Sequence, residues 1–239
     1  MKHLYKKSEL TFSLVLVGLY VALFSIAGNL SRSIGIEKIL TAPLSVLFVA
    51  VLYVWIHKNG LLKKYGLCAF DGQAPDYFYF IPLFVIGSCN LWNGVQLNCS
   101  PMETALYVLS MLCVGFIEEL IFRGFLFKAM AKDGIKSAII VSSITFGLGH
   151  IINLVNGAEL LPTFLQIIYA TAIGFLFTML FHKGKCLWPC IITHSVVNSL
   201  SVIGVESTTT EKIISAVILT AVSLGYTALI YKNKKHCKT

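Results

Sequence analysis

The stretch METALYVLSMLCVGFIEELIFRGFLF, residues 102–127, decides the fold of this chain. As a helix it is long enough to cross the roughly 30 Å hydrocarbon core of a bilayer. Charged side chains nevertheless stand inside it, at Glu118, Glu119 and Arg123. A charge at mid-bilayer costs roughly 2.5–3.5 kcal/mol on insertion scales, so each such residue needs a partner or a function. The stretch predicts a transmembrane helix that carries a buried polar site.

Seven further apolar runs accompany this one, and together they predict the architecture. Of the 239 residues, 56% are hydrophobic and 13% are charged, whereas a soluble domain has about a quarter charged residues. The third run contains Asn90, Trp92 and Asn93, which interrupt its apolar pattern. We predict an all-α, polytopic transmembrane helical bundle of about eight spans, built by residues 1–239 as a single integral-membrane domain. The runs cover residues 11–30, 39–57, 77–96, 102–127, 136–153, 162–182, 187–204 and 212–231.

The basic residues predict how the bundle is oriented. The net charge is +8, but the lysines recur in small groups between the apolar runs, so we expect no nucleic-acid partner. With the N-terminus in the cytoplasm, fifteen lysines fall on the cytoplasmic side, and only Arg32, Lys38 and Lys212 fall on the other. Cytoplasmic loops of membrane proteins carry such an excess. The pattern therefore predicts that both termini are cytoplasmic.

The charged residues of the fourth run divide into two parts. Glu119 and Arg123 are four residues apart, the spacing at which a carboxylate and a guanidinium meet on one helical face. Glu118 is rotated about 100° from Glu119 around the helix. Arg123 therefore offsets Glu119 and leaves Glu118 facing elsewhere, where it could act as a general base. The cluster by itself is also consistent with a structural ion network or with transport.

Two of the six histidines lie inside apolar runs, whereas the other four lie in the tails or at the cytoplasmic ends of runs. His150 ends the segment FGLGH that begins at Phe146, and His194 begins the segment HSVVN that ends at Asn198. Glu118, His194 and His150 lie about 15, 14 and 21 Å from the nearest cytoplasmic-side lysines, at 1.5 Å of helix per residue. Three helices can therefore bring them together near mid-membrane, and we expect access from the cytoplasmic side.

This set of side chains permits peptide hydrolysis, which needs an activated water, a stabilised oxyanion and a proton for the leaving amine. Glu118 with His150 could deprotonate water, and His194 with Asn198 could donate hydrogen bonds to the oxyanion. Alternatively, Glu118, His150 and His194 could be ligands of a catalytic zinc, although the H-E-x-x-H motif is absent. Ser195 points about 100° away from His194 on the same helix, so we do not expect it to be a nucleophile.

The three motifs resemble those of a known family when they are taken in order. The segments Glu118-Glu119-x-x-x-Arg123, Phe146-x-x-x-His150 and His194-x-x-x-Asn198 are similar to the motifs of the CAAX protease and bacteriocin-processing (CPBP) family. This family, also called Abi, has the Ras-converting CAAX endopeptidase among its eukaryotic relatives. The resemblance places the motif core at about residues 102–204.

The resemblance implies an intramembrane endopeptidase in which Glu118 and His150 activate water. His194 and Asn198 would form the oxyanion site, with Glu119 and Arg123 as supporting members of the catalytic set. Family members are often described as metalloproteases, so a divalent metal such as zinc is an alternative to a metal-independent glutamate mechanism. The implied substrate is a membrane-associated peptide, or a prenylated-type or leader protein.

The resemblance also implies a location and a set of biological roles. The implied location is a bacterial plasma membrane, and the implied roles are peptide maturation, surface-protein or signal-peptide processing, and bacteriocin immunity. Two other interpretations remain open: a proton-coupled transporter, which often shows repeats that are not found here, and a non-catalytic immunity or scaffold protein.

Overall fold

The computed structural model describes residues 1–71 and 78–232. These residues form a bundle of α-helices, which confirms the predicted fold class. The α-helices are α1 (Lys2–Lys7), α2 (Glu9–Ile34), α3 (Thr41–Lys58), α4 (Ile81–Ser88), α5 (Pro101–Glu119), α6 (Lys128–Met130), α7 (Ile135–Gly149), α8 (Ile152–Val155), α9 (Leu160–Gly184), α10 (Trp188–Leu200) and α11 (Thr209–Lys232). A π-helical segment, Leu120–Phe127, joins α5 to α6, so that one continuous helical stretch runs from Pro101 to Met130.

Each predicted apolar run contains a helix, but the helices differ in length. In the described part of the chain, six stretches are long and apolar enough to cross a membrane: Glu9–Ile34, Thr41–Lys58, Pro101–Met130, Ile135–Val155, Leu160–Gly184 and Thr209–Lys232. The third and seventh runs form shorter helical stretches, Phe78–Leu91 and Trp188–Ile203. The third run stops early because the chain turns at Trp92 and Asn93 and then becomes extended. The total of eight spans therefore stays a prediction.

Contacts between distant segments define the two ends of the bundle. At one end the carboxylate of Glu9 contacts the ammonium groups of Lys64 at 2.7 Å and Lys132 at 2.9 Å. We call this the lysine-rich end; it includes α1 and the loops 59–71, 131–134 and 185–187. At the other end, the lysine-poor end, Asn29 bonds to Asn156 at 3.3 Å. This end includes the segments 35–40, 92–100, 150–159 (which contains α8) and 201–208. The long helices run alternately between the lysine-rich and the lysine-poor end.

A short extended contact joins the two shorter helical stretches at the lysine-poor end. Val95 and Gly204 form an antiparallel bridge, in which the Gln96 N–H donates to the carbonyl of Ile203 at 2.8 Å. The Asn98 side-chain amide donates to the carbonyl of Gly204 at 2.9 Å. These bonds satisfy backbone groups that a longer helix would have paired internally. The loops that follow the two short stretches are therefore held side by side.

The core centres on α5 and its π-helical continuation. All eight residues from Leu120 to Phe127 are buried. Helix α10 packs closely against α5, since a Cβ added at Gly115 would lie 2.6 Å from the backbone nitrogen of Ser195. Ser142 of α7 donates a hydrogen bond to the carbonyl of Phe122 at 2.8 Å. Helices α7 and α10 are thereby both fixed against the helical stretch that carries the charged residues.

Candidate active site

The six predicted site residues come from three helical stretches. Glu118 and Glu119 form the last turn of α5, and Arg123 lies in the π-helical segment that follows. His150 is the C-cap residue of α7. His194 and Asn198 both lie on α10. Single-turn π-helical insertions occur often at functional sites, and here the irregular segment begins directly after the paired glutamates.

Glu119, Arg123 and His194 form a buried charged cluster. The Glu119 Oε1 accepts a hydrogen bond from Nη1 of Arg123 at 2.9 Å and lies 2.8 Å from Nδ1 of His194. Glu119 and Arg123 are both completely inaccessible to solvent. The pairing of Glu119 with Arg123 predicted from their spacing is confirmed, although the backbone between them changes from α to π. The ion pair links α5 to α10 through the imidazole of His194.

Aromatic rings complete the surroundings of the arginine. The Cζ atom of Arg123 lies 4.0 Å from the centroid of the Phe146 ring and 5.7 Å from that of Phe177. A guanidinium over an aromatic face gains cation–π energy, which is larger where water is excluded. The Phe146 ring also contacts His194 edge-on, with 5.6 Å between centroids. Phe146, the first residue of the second motif, therefore packs against members of both other motifs.

Glu118 faces away from Arg123, as its position on the helix predicts. Its Oε1 accepts a hydrogen bond from the hydroxyl of Tyr20 at 2.5 Å. Its Oε2 lies 3.5 Å from Nε2 of His194. The two nitrogens of His194 therefore face two different carboxylates, Nδ1 toward Glu119 and Nε2 toward Glu118. The structure thus brings Glu118 and His194 together.

Glu118 and His150 line the same cavity, which has a volume of about 350 Å³. Tyr20 contributes to its inner wall, and Arg32 and Lys38 contribute at the lysine-poor end of the bundle. The cavity is bounded by α2 on one side and by α5 and α7 on the other. The Glu118 side chain and the His150 side chain therefore border the same open space.

The position of this cavity differs from the expected access from the lysine-rich side. Toward the lysine-rich end, the π-helical segment closes the bundle, because Phe125 and Phe127 are at most 2% exposed. The Tyr65 ring packs edge-on against Phe125, with centroids 4.6 Å apart. Distances along single helices predict how deep the site lies in the membrane. They do not show at which end of the bundle the aromatic side chains pack and close the interior.

Asn198 follows His194 on the same helix. It is half-buried on α10, about one turn from His194 toward the lysine-poor end. Its carbonyl accepts a hydrogen bond from the Ser201 hydroxyl at 2.7 Å. Ser195, which was not expected to be a nucleophile, donates its hydroxyl to the carbonyl of Leu112 at 2.9 Å. Ser195 therefore serves the packing of α10 on α5.

In the described ranges 1–71 and 78–232, no three His, Cys, Asp or Glu side chains are grouped closely enough to hold a metal ion. Glu118, His150 and His194 were the candidate ligands. One oxygen of Glu118 bonds to Tyr20 and one nitrogen of His194 contacts Glu119, while the other oxygen of Glu118 and the other nitrogen of His194 lie 3.5 Å apart.

Tyr20 is a site residue that the sequence does not indicate. It stands 98 residues before Glu118 in the chain and forms part of the first apolar run. A tyrosine in an apolar run has no feature in the sequence that distinguishes it from an ordinary aromatic packing residue. Its role follows only from the packing of α2 on the π-helical segment.

Comparison with known proteins gives one match. Residues 100–200 match the model of a family described as Type II CAAX prenyl endopeptidase Rce1-like. This segment contains all six predicted site residues, and the match confirms the resemblance to CAAX proteases stated from the three motifs. No curated protein and no solved structure matches the chain.

Proposed function

We propose, from the match of residues 100–200 to the family model described as Type II CAAX prenyl endopeptidase Rce1-like, that this protein is an intramembrane endopeptidase. The observation that carries the proposal is the contact of His194 with two glutamates, one buried on Arg123 and one facing a cavity. Glu119, paired with Arg123, holds His194 in a fixed position. Glu118 borders a cavity that can take up water and a peptide bond.

The proposed reaction uses Glu118 as the general base. A water molecule in the cavity gives a proton to Oε2 of Glu118, and its oxygen attacks the carbonyl carbon of the scissile peptide bond. The carbon–nitrogen bond then breaks, and the proton held by Glu118 passes to the leaving amine. The products are a new carboxyl terminus and a new amino terminus.

The remaining residues are proposed to support this step. With Nδ1–H donating to Glu119, His194 presents Nε2 toward Glu118 and the water. His150 borders the same cavity and can bind the water from the other side. When Nε2 of His194 carries a proton it can donate to the oxyanion, and Asn198 can join it once substrate is bound. Preorganised donors at such a position commonly contribute the largest part of the rate enhancement.

The proposed function can be tested without knowing the substrate. Membranes from cells that produce the wild-type protein or Glu118→Gln should be compared by mass spectrometry of all peptide termini. We expect termini that appear only with the wild-type protein. A proton-coupled transporter would give the same termini in both samples, and that result would refute the proposal.

We further propose that no metal ion takes part, because one oxygen of Glu118 and one nitrogen of His194 already contact protein groups and no group of three candidate ligands is found among the described residues. Purified protein should cleave a peptide spanning one of the identified sites, and a chelator should leave the rate unchanged. Metal content would be measured on the same sample. Loss of activity with the chelator, restored by zinc, would contradict the glutamate mechanism while leaving the peptidase assignment intact.

The position of the cavity suggests where the substrate enters. If the lysine-rich end is cytoplasmic, as the positive-inside rule predicts, the cavity opens toward the outer face of the membrane. We therefore propose a substrate whose cleavage site lies near the outer leaflet, which favours an exported leader or peptide over a prenylated protein held on the inner leaflet. Asn156 lines the cavity at its open end.

Cysteine labelling tests this orientation. In intact cells a membrane-impermeant maleimide should label Asn156→Cys more than the wild-type protein, and the label should block cleavage by filling the entry. The matched control is Lys132→Cys, because the Lys132 side chain is 58% exposed at the lysine-rich end. We expect Lys132→Cys to react only after the cells are permeabilised. The reverse pattern would place the cavity on the cytoplasmic side.

A further inference from the structure

The contact between Tyr20 and Glu118 joins the proposed base to a helix outside the family segment. Tyr20 lies on α2, whereas the family match begins at residue 100. Its hydroxyl donates to Oε1 of Glu118. Its ring packs on Phe24, with centroids 4.6 Å apart, and meets Phe48 edge-on at 6.4 Å. The hydroxyl is thus the polar end of an otherwise apolar cluster and is aimed at the carboxylate.

This contact makes the two oxygens of Glu118 different. Oε1 is occupied by the tyrosine proton, while Oε2 lies 3.5 Å from Nε2 of His194. A carboxylate held at one oxygen can no longer rotate freely about its terminal bond. Oε2 is therefore the oxygen left to receive a proton from water, and its lone pairs keep a fixed direction in the cavity.

Helix α2 is held in place on both sides of Tyr20. On one side Glu9 contacts Lys64 and Lys132. On the other side the Ser31 hydroxyl accepts a hydrogen bond from the Leu40 N–H at 3.1 Å. Because both parts of the helix are anchored, the tyrosine hydroxyl has a defined position along the membrane normal. Such external support is what a positioned catalytic group requires.

We infer that Tyr20 is a positioning residue for Glu118: it fixes Oε1 so that Oε2 acts as the base. The inference rests on the proposed function, since it assigns a role in the reaction of Glu118. It also implies that the segment 100–200 needs α2 for the orientation of its own carboxylate. Tyr20 acts through Glu118 and does not contact the peptide bond.

Kinetics of Tyr20→Phe provide the first test. The substitution removes only the hydroxyl and keeps the ring between Phe24 and Phe48. On a peptide whose cleavage requires Glu118, we expect kcat to fall about 10- to 100-fold, the range for losing a hydrogen bond to a charged group. KM should stay within about twofold, because uniform binding of substrate is unchanged.

The matched control is Tyr65→Phe at the lysine-rich end. The Tyr65 hydroxyl bonds to that of Tyr5 at 2.7 Å, and the residue is 1% exposed. It therefore loses the same kind of group from a more deeply buried place away from the cavity, and we expect kcat to change less than about twofold. Equal kcat for Tyr20→Phe and the wild-type protein would overturn the inference. A rise in KM with kcat unchanged would make Tyr20 a substrate-binding residue, which also overturns it.

Infrared spectroscopy provides a second test that needs no substrate. The carboxyl band that disappears in Glu118→Gln belongs to Glu118, and in Tyr20→Phe this band should shift because its hydrogen bond is lost. Tyr65→Phe should leave the band in place. Full activity of Glu118→Gln would refute the proposed function. Even then, the position of the Glu118 carboxyl band in Tyr20→Phe would show whether Tyr20 orients Glu118. An unshifted band in Tyr20→Phe would refute the inference alone.

Discussion

Glu118→Gln is expected to lower turnover about 10²- to 10⁴-fold, the range supplied by a positioned general base. The amide has the same shape as the carboxylate and can accept hydrogen bonds from Tyr20, but it cannot take a proton from water. The side chain of Glu118 is 14% exposed and lines the cavity, so the variant should accumulate in the membrane and unfold as the wild-type protein does. The measurement is kcat on a peptide identified from the comparison of membrane termini.

The matched control for this result is Glu206→Gln, which removes a carboxylate from the lysine-poor end. The Glu206 side chain is 89% exposed and lies 3.9 Å from the Lys212 ammonium. Its neutralisation changes the net charge by the same amount at a distance from the cavity. We expect wild-type kcat. If Glu118→Gln and Glu206→Gln had the same activity, Glu118 would not be the base.

Arg123→Met is expected to have the largest effect on stability. The guanidinium and the Glu119 carboxylate are both completely buried, so removing the guanidinium leaves the carboxylate in the interior with only the His194 imidazole beside it. Breaking a buried pair in this way typically costs about 3–5 kcal/mol. The expected result is a matching loss in the free energy of unfolding, measured by denaturant titration in detergent micelles.

A second variant separates charge from packing. Glu119→Gln combined with Arg123→Met removes both charges and keeps side chains of similar volume. Because replacing a buried ion pair by neutral groups is often close to neutral, the double variant should recover most of the lost stability. Lys212→Met, at an exposed pair, should change little. A single variant Arg123→Met as stable as the wild-type protein would show that the ion pair does not stabilise the bundle.

Two substitutions in the first motif are expected to have opposite effects on stability and activity. Glu118→Gln should be stable and inactive, whereas Arg123→Met should be unstable whatever its activity. Two adjacent glutamates therefore serve different purposes because they face different surroundings. Glu119 is closed in by Arg123, His194 and the aromatic core, while Glu118 borders a cavity.

Much of this site could be predicted from residue spacing. The four-residue interval between Glu119 and Arg123 predicts their contact, and the adjacent position of Glu118 predicts that it faces another direction. Both relations are local, because they depend only on the geometry of one helix. For the same reason the apolar runs located all the long helices of the described chain. The three motifs, taken in order, predicted the family relationship that the match over residues 100–200 confirms.

The features that could not be predicted are those that depend on packing between distant segments. The hydrogen bond from Tyr20 to Glu118 depends on how α2 lies against the π-helical segment. The change from α to π geometry after Glu119 leaves no signal in the apolar pattern. The end of the bundle at which the cavity lies could not be predicted either, because it depends on where aromatic side chains from several helices pack together.

The short helical stretch that carries His194 has a consequence for the surrounding lipid. Trp188–Ile203 is 16 residues long and rises only about 24 Å, less than the roughly 30 Å of an average hydrocarbon core. A bilayer adapts to such hydrophobic mismatch by thinning beside the short element. Phe78–Leu91 is shorter still and packs next to it. We therefore expect a thinner bilayer beside these two stretches, which would shorten the path of water to the helix that carries His194.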